Sequence, residues 1–335
     1  MNPKNKILVV GPAWVGDMVM AQSLFKTLKV QRPDSVIDVL SPPWSMPLLK
    51  RMAEVNQAIA LDVTHGKLGL RARYRTGRHL RVNKYDEAII LPRSYKAALV
   101  PFFAKIPVRT GYRGEMRYGV VNNRKRLDHD VLTQTVQRFT ALAYDGELTT
   151  PPLIYQPELS IDVANRKWFI KDVNLKMNKP IIAFMPGAEY GEAKRWPTEY
   201  YRQLAEMLVG NDYRVWILGS NKEQETGAMI SDGYEEDVIN LCGKTKLEDV
   251  IDLLSVVHTA VSNDSGLMHV ACAVGIKVIG IYGSSDPAYT PPLSDTAEAM
   301  YLNMSCSPCF QRTCQFDHLD CLRDIKPIDI FKRIY

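Results

Sequence analysis

Long apolar runs are missing from this chain. The greasiest stretch, Ala97-Ala-Leu-Val-Pro-Phe-Phe-Ala104, is closed off by Lys96 and Lys105. It falls far short of the ~20 apolar residues that a bilayer-spanning helix needs. Lys4 and Lys6 precede Ile7-Leu-Val-Val10 much as in a signal peptide, but Gly11-Pro12 and Asp17 interrupt that run too early. A cytoplasmic location is therefore expected. The dinucleotide fingerprint G-x-G-x-x-G is missing as well, because Gly11 and Gly16 have the wrong spacing. No nicotinamide cofactor is expected. Basic residues are plentiful, yet no nucleic-acid-binding motif accompanies them, and no nucleic-acid partner is expected. The six cysteines should stay reduced or bind metal in such a compartment.

What remains is an ordinary globular composition over 335 residues, enough for two domains and a large core. The net charge of +5 is spread unevenly: residues 67–138 hold 17 Lys/Arg and five Asp/Glu, or +12, which leaves −7 for the rest. That asymmetry points to an anionic partner for the first half. Lys67, Arg71, Arg73, Arg75, Arg78, Arg81 and Lys84 form the densest part. They read either as a solvated basic helix or as a surface for phosphates and lipid headgroups.

Lys6–Val10 is a first buried strand, followed by a glycine-bearing loop, a helical stretch from Met18 to Leu28 and a second strand at Ser35–Leu40. This is a βαβ opening. Asp17 lies where the loop meets the helix, at a strand's carboxyl end, where open α/β sheets place ligands. By itself it reads as a first-turn carboxylate complementing the helix dipole or as a general base. Tyr85–Leu91 is another strand, and Pro92-Arg-Ser-Tyr-Lys96 is the loop beyond it. Arg113 and Arg117 lie in a later polar loop.

Thr149-Thr-Pro-Pro152 is the clearest break, after which the pattern restarts with strands at 180–185, 213–218 and 237–241. The loop Pro186–Pro197 carries Gly187, for close backbone approach, and Lys194-Arg195, for a diphosphate. Val256–Val261 reads as a strand running into Asn263-Asp264-Ser265-Gly266, a capping turn, and then a helix. Unpaired amides at such a helix start suit a phosphate, although an ordinary strand-to-helix turn looks the same.

Taken together, Trp14-Val-Gly-Asp17, Pro186-Gly-Ala-Glu189, Ala193-Lys-Arg-Trp-Pro197, Asn263-Asp-Ser-Gly-Leu-Met-His269, Gly283-Ser-Ser-Asp-Pro287 and Thr290-Pro-Pro-Leu293 resemble the ADP-heptose–lipopolysaccharide heptosyltransferases, glycosyltransferase family 9. The likeness is nearest to members that add the second inner-core heptose. Ser284-Ser285 departs from the Pro-Ser or Pro-Thr of many relatives. The resemblance implies an α/β protein with the GT-B fold, two Rossmann-like domains facing a central cleft. Residues 1–160 would bind the acceptor and 161–320 the donor ADP-heptose. Residues 321–335 would cross back to the first domain.

The implied reaction is an inverting, metal-independent transfer of L-glycero-D-manno-heptose to heptosyl-Kdo2-lipid A, at the cytoplasmic face of the inner membrane. Asp17 matches the catalytic base and Lys194 the lysine that holds the donor phosphates. Gly187, Asp264, Ser265, Gly266 and His269 match donor-binding positions. Asp264 is assigned to a sugar hydroxyl or to capping the turn. Glu223 is assigned to the ribose, with Glu225 the alternative. Arg71, Arg73, Arg75, Ser94, Lys96, Arg113 and Arg117 are assigned to the anionic acceptor. Another GT-B enzyme, such as a nucleotide-sugar 2-epimerase, and a non-catalytic lipopolysaccharide-binding module are the rivals.

Cys306-Ser-Pro-Cys309, Cys314 and Cys321 have zinc-like spacing. Structural zinc, a disulfide and free thiols all stay open. No cofactor is expected for catalysis.

Overall fold

The computed structural model describes residues 5–63 and 66–334. The chain divides into two units, Met1–Pro157 and Glu158–Tyr335. In the first unit six strands pair in parallel: β1 (Lys6–Val10), β2 (Val36–Ser41), β3 (Val55–Ala60), β4 (Glu87–Ile90), β5 (Val108–Tyr112) and β6 (Asn123–Lys125), in the order β3-β2-β1-β4-β5-β6. The central strands are continuous apolar runs, as expected where helices cover both faces of a parallel sheet. β1 is followed by the helix Val15–Gln31, whose Met18, Leu24, Phe25 and Leu28 are fully buried. The basic stretch is indeed helical, over Leu70–Leu80.

The second unit repeats the plan with β7 (Ile181–Met185), β8 (Arg214–Ile217), β9 (Val238–Asn240), β10 (Thr259–Asn263), β11 (Lys277–Ile281) and β12 (Ala297–Met300), ordered β12-β11-β10-β7-β8-β9. Each unit is a Rossmann-like α/β sheet. β10 starts three residues later than the apolar run Val256–Val261 suggests. Ser255, Val256 and Val257 instead donate back to Asp252, Leu253 and Leu254 and close the end of the helix Leu247–Leu254. Three edge strands, β3, β6 and β12, escape the hydrophobic pattern because much of each is exposed or only half-buried.

Within the second unit, the described part of the terminal segment, residues 321–334, joins the core. Its helix Pro327–Ile334 lies on the helix Thr198–Val209. Leu322, Ile325, Ile330 and Ile334 join Trp196, Tyr201 and Leu204 in one core cluster. The physical reason is an apolar stripe that fits this core, together with a hydrogen bond of 2.9 Å from Trp196 Nε1 to the Ile325 carbonyl.

Candidate active site

At the carboxyl ends of β1, β2 and β4 the first unit holds a cavity of about 830 Å³ lined by Trp14, Asp17, Trp44, Arg73, Ser94 and Lys96 among others. Asp17 sits half-buried in the first turn of the helix Val15–Gln31, whose N-cap, Trp14, makes no side-chain cap bond. The helix dipole favours a carboxylate there. Arg73 is buried on the inner face of its helix. Its Nε donates to the Leu68 carbonyl at 2.8 Å, and burial pulls its guanidinium pKa down.

The other arginines expected at the acceptor separate from this group. Arg71 and Arg75 lie on the exposed face of the same helix, lining a shallow concavity with Tyr74 and Arg78. Arg113 is exposed in the loop after β5. Arg117 is placed differently again. It is 2% exposed, and its guanidinium donates to the carbonyls of Pro92, at 2.7 Å, and Tyr112. A buried guanidinium donating to these two backbone carbonyls braces the loop that carries Ser94 and Lys96.

In the second unit the loop after β7 brings Lys194 to Asp264. The ammonium and carboxylate stand 2.5 Å apart, both largely buried. Through one carboxylate oxygen Asp264 orients Lys194. One of the three ammonium hydrogens is taken, and two remain for a ligand. The helix Gly266–Val274 begins at once, with Ser265 as an N-cap whose side chain makes no capping bond and stands 3.4 Å from the Ser262 hydroxyl. Its first amides thus lack a side-chain cap, beside the only cation paired to Asp264 among the described residues. His269 is buried within that helix. Burial pushes its imidazole below the ordinary value, with Asp264 pulling the other way, and its Nδ1 has no partner among the described residues.

Glu223 reaches the same end of the sheet. A Cβ on Gly187 would come within 2.9 Å of its carboxyl carbon. Glycine leaves the Glu223 carboxylate that room, and a side chain there would push it aside. One carboxylate oxygen is already engaged, accepting from the Ser220 amide at 2.9 Å and hydroxyl at 2.7 Å. Glu225 lies exposed in the first turn of the helix Gln224–Ser231.

The residue that sequence reasoning underrated is Asn263. It is fully buried, accepts from the Trp196 amide at 3.0 Å and the Tyr201 hydroxyl at 3.2 Å, and donates to the Pro186 carbonyl at 2.6 Å. It staples both ends of the Lys194 loop to β10. Replacing it with alanine takes this partner from a buried amide, a buried hydroxyl and a buried carbonyl, at ~1–3 kcal/mol for each orphaned group. A lowered urea midpoint and weakened ADP binding are expected together. An unchanged midpoint would remove the staple from the account.

The cysteine-bearing tail forms a further wall of this loop. The Ala193 amide donates to the Arg312 carbonyl at 3.0 Å. A Cβ on Gly191 would come 2.4 Å from that carbonyl oxygen. Lys194 and Arg312 both lie over the Tyr190 ring, at 5.2 and 5.4 Å. Cys306, Cys309, Cys314 and Cys321 line one small cavity with His318. All are free thiols, and no group of three or more His, Cys, Asp or Glu among the described residues is arranged to hold a metal ion. The Leu319 amide, with those of Phe316, His318 and Asp317, pulls the Cys314 thiol down, while burial pushes Cys321 up to about 11.

These two clusters occur in a chain with close relatives. The lipopolysaccharide heptosyltransferase 2 of Salmonella typhimurium is 45% identical over 306 residues, covering 89% of this chain and 88% of that protein. The lipooligosaccharide heptosyltransferase 2 of Haemophilus influenzae is 44% identical over 88% of each. The solved structure of E. coli ADP-heptose lps heptosyltransferase II superposes with a TM-score of 0.88 at 40% identity, covering 98% of this chain and 97% of that one. The family model for glycosyltransferase family 9 (heptosyltransferase) matches residues 73–320. The chain belongs to glycosyltransferase family 9, and its two Rossmann-like units are those of the GT-B fold.

Proposed function

We propose that the protein transfers L-glycero-D-manno-heptose from ADP-heptose to heptosyl-Kdo2-lipid A with inversion, working at the cytoplasmic face of the inner membrane in peripheral contact with it. The relatives' names support the donor and the acceptor class. The observation that carries the donor half is the Lys194–Asp264 pair at the uncapped start of the helix Gly266–Val274.

In this reading the acceptor hydroxyl loses its proton to Asp17 and attacks the anomeric carbon. The bond from that carbon to the ADP oxygen breaks on the opposite face. Negative charge grows on the leaving diphosphate. Lys194 and the amides of Ser265-Gly266 meet it as preorganised donors. His269 adds a hydrogen bond. Gly187 lets the donor lie close to the backbone, and Glu223 offers its second oxygen to the ribose. Arg73, Ser94 and Lys96 share Asp17's cavity and face the anionic acceptor.

The test is ADP release from ADP-heptose with and without acceptor. Release that requires the heptosylated acceptor supports the reading. Turnover of a different nucleotide sugar points to the rival GT-B chemistry, and binding without turnover points to the non-catalytic module.

Because charge stabilisation is assigned to Lys194 and backbone amides, turnover is expected to survive EDTA. Loss restored specifically by Mg²⁺ or Mn²⁺ would contradict this. A slow loss with unfolding and release of zinc would place a structural ion among the tail thiols.

A further inference from the structure

Residues 67–84 contain seven Lys/Arg and no carboxylate, and residues 88–105 add three more basic residues and again no carboxylate. The helix Leu70–Leu80 packs tightly on the helix Leu99–Phe103: a Cβ on Gly77 would come 2.6 Å from Phe103 Cβ and 2.8 Å from the Val100 carbonyl. That close approach sets an aromatic ridge on the outer face. Tyr74 meets Phe103 edge-on at 5.2 Å, and Phe103 meets Phe102 at 5.6 Å. Tyr74 and Phe102 remain 45% and 42% exposed, and Leu70, one turn before Tyr74, is 51% exposed. Arginines frame the ridge. Arg78 lies over the Tyr74 ring at 5.9 Å and Arg109 over Phe102 at 5.8 Å. Arg71 and Arg75 line the same shallow concavity.

We propose that this face docks on the headgroups of an anionic phospholipid bilayer, with Leu70, Tyr74 and Phe102 entering the interface and Arg71, Arg75 and Arg78 contacting lipid phosphates. Amphipathic rings and aliphatic side chains within a basic surround suit the headgroup layer. A nucleic acid would need aromatic faces open for stacking. Here Arg78 and Arg109 each stand over one face of those rings. The assignment rests on the lipid-acceptor reading above and adds the surface that meets the bilayer. One helix serves both roles: Arg73 turns inward to the Asp17 cavity, and Arg71, Arg75 and Arg78 turn outward.

The test is sedimentation of the full chain with phosphatidylcholine vesicles, with or without phosphatidylglycerol. The wild type should bind only the anionic vesicles, and raised salt should release it. Each basic residue at such a surface contributes about fivefold in partition, so Arg71→Gln/Arg75→Gln/Arg78→Gln should bind roughly 100-fold more weakly. Tyr74→Ser/Phe102→Ser keeps every charge and should also weaken binding. In the triple variant, transfer to acceptor embedded in vesicles should fall more than transfer to a deacylated acceptor. Vesicle binding with no heptose transfer by the wild type would leave the docking surface standing and overturn the acceptor reading. Equal binding to neutral vesicles, binding unchanged in both variants, or binding to short RNA in place of vesicles would overturn the docking surface.

Discussion

Asp17→Asn is expected to lower the transfer rate by roughly 10²–10⁴-fold, the usual contribution of a positioned general base. Affinity for ADP-heptose should stay near that of the wild type, because Asp17 belongs to the first unit and the donor is assigned to the second. Asparagine keeps the shape of the side chain and loses its charge. The lost interaction with the helix dipole amounts to about 0.3–1 kcal/mol, a melting shift of only a few degrees. Rate and stability therefore separate cleanly. A near-wild-type rate would remove Asp17 from the mechanism. A rate loss matched by an equal loss of donor affinity would move Asp17 to the donor.

Lys194→Ala is expected to damage binding and turnover together. A lysine on a diphosphate makes charge-assisted hydrogen bonds worth about 1.5–3 kcal/mol in the ground state. Charge grows on the leaving group during transfer, so removing one preorganised donor costs a further ~10²–10³-fold in rate. The variant also strips Asp264 of its partner and leaves a buried carboxylate facing the diphosphate. Removing one member of a buried pair is costly for that reason. Lys194→Ala/Asp264→Asn should consequently recover part of the lost ADP affinity while turnover stays low. A double variant that binds ADP no better than the single one would show that Asp264 does not face the phosphates. Unchanged ADP affinity in Lys194→Ala itself would show that the loop is misassigned.

Much of this was legible in the chain because local signals and tertiary structure agree. β1, β4, β7 and β8 are apolar runs bounded by turns, and they occur as read within one or two residues at either end. The helix Thr198–Val209 follows Pro197 as a proline-led start suggests. What could not be read were the choices made by side chains. Arg71, Arg73 and Arg75 look alike in sequence, yet helical phase turns one inward and two outward. Arg117 is one basic residue among many until the fold supplies two carbonyls for its guanidinium. The pairing of Lys194 with Asp264 spans 70 residues and depends on the loop after β7 meeting the end of β10. Glu223 is committed to Ser220 by a local capping box that a search for ribose ligands passes over.

The most direct test of the account is the configuration at the new anomeric centre, determined by NMR on the purified product together with that of the donor used. A single in-line displacement with Asp17 as base predicts one heptose added per ADP released, with the anomeric configuration inverted. Retention of the donor's configuration would require two displacements and a second nucleophile, and it would contradict the mechanism assigned to Asp17, Lys194 and the Ser265-Gly266 amides.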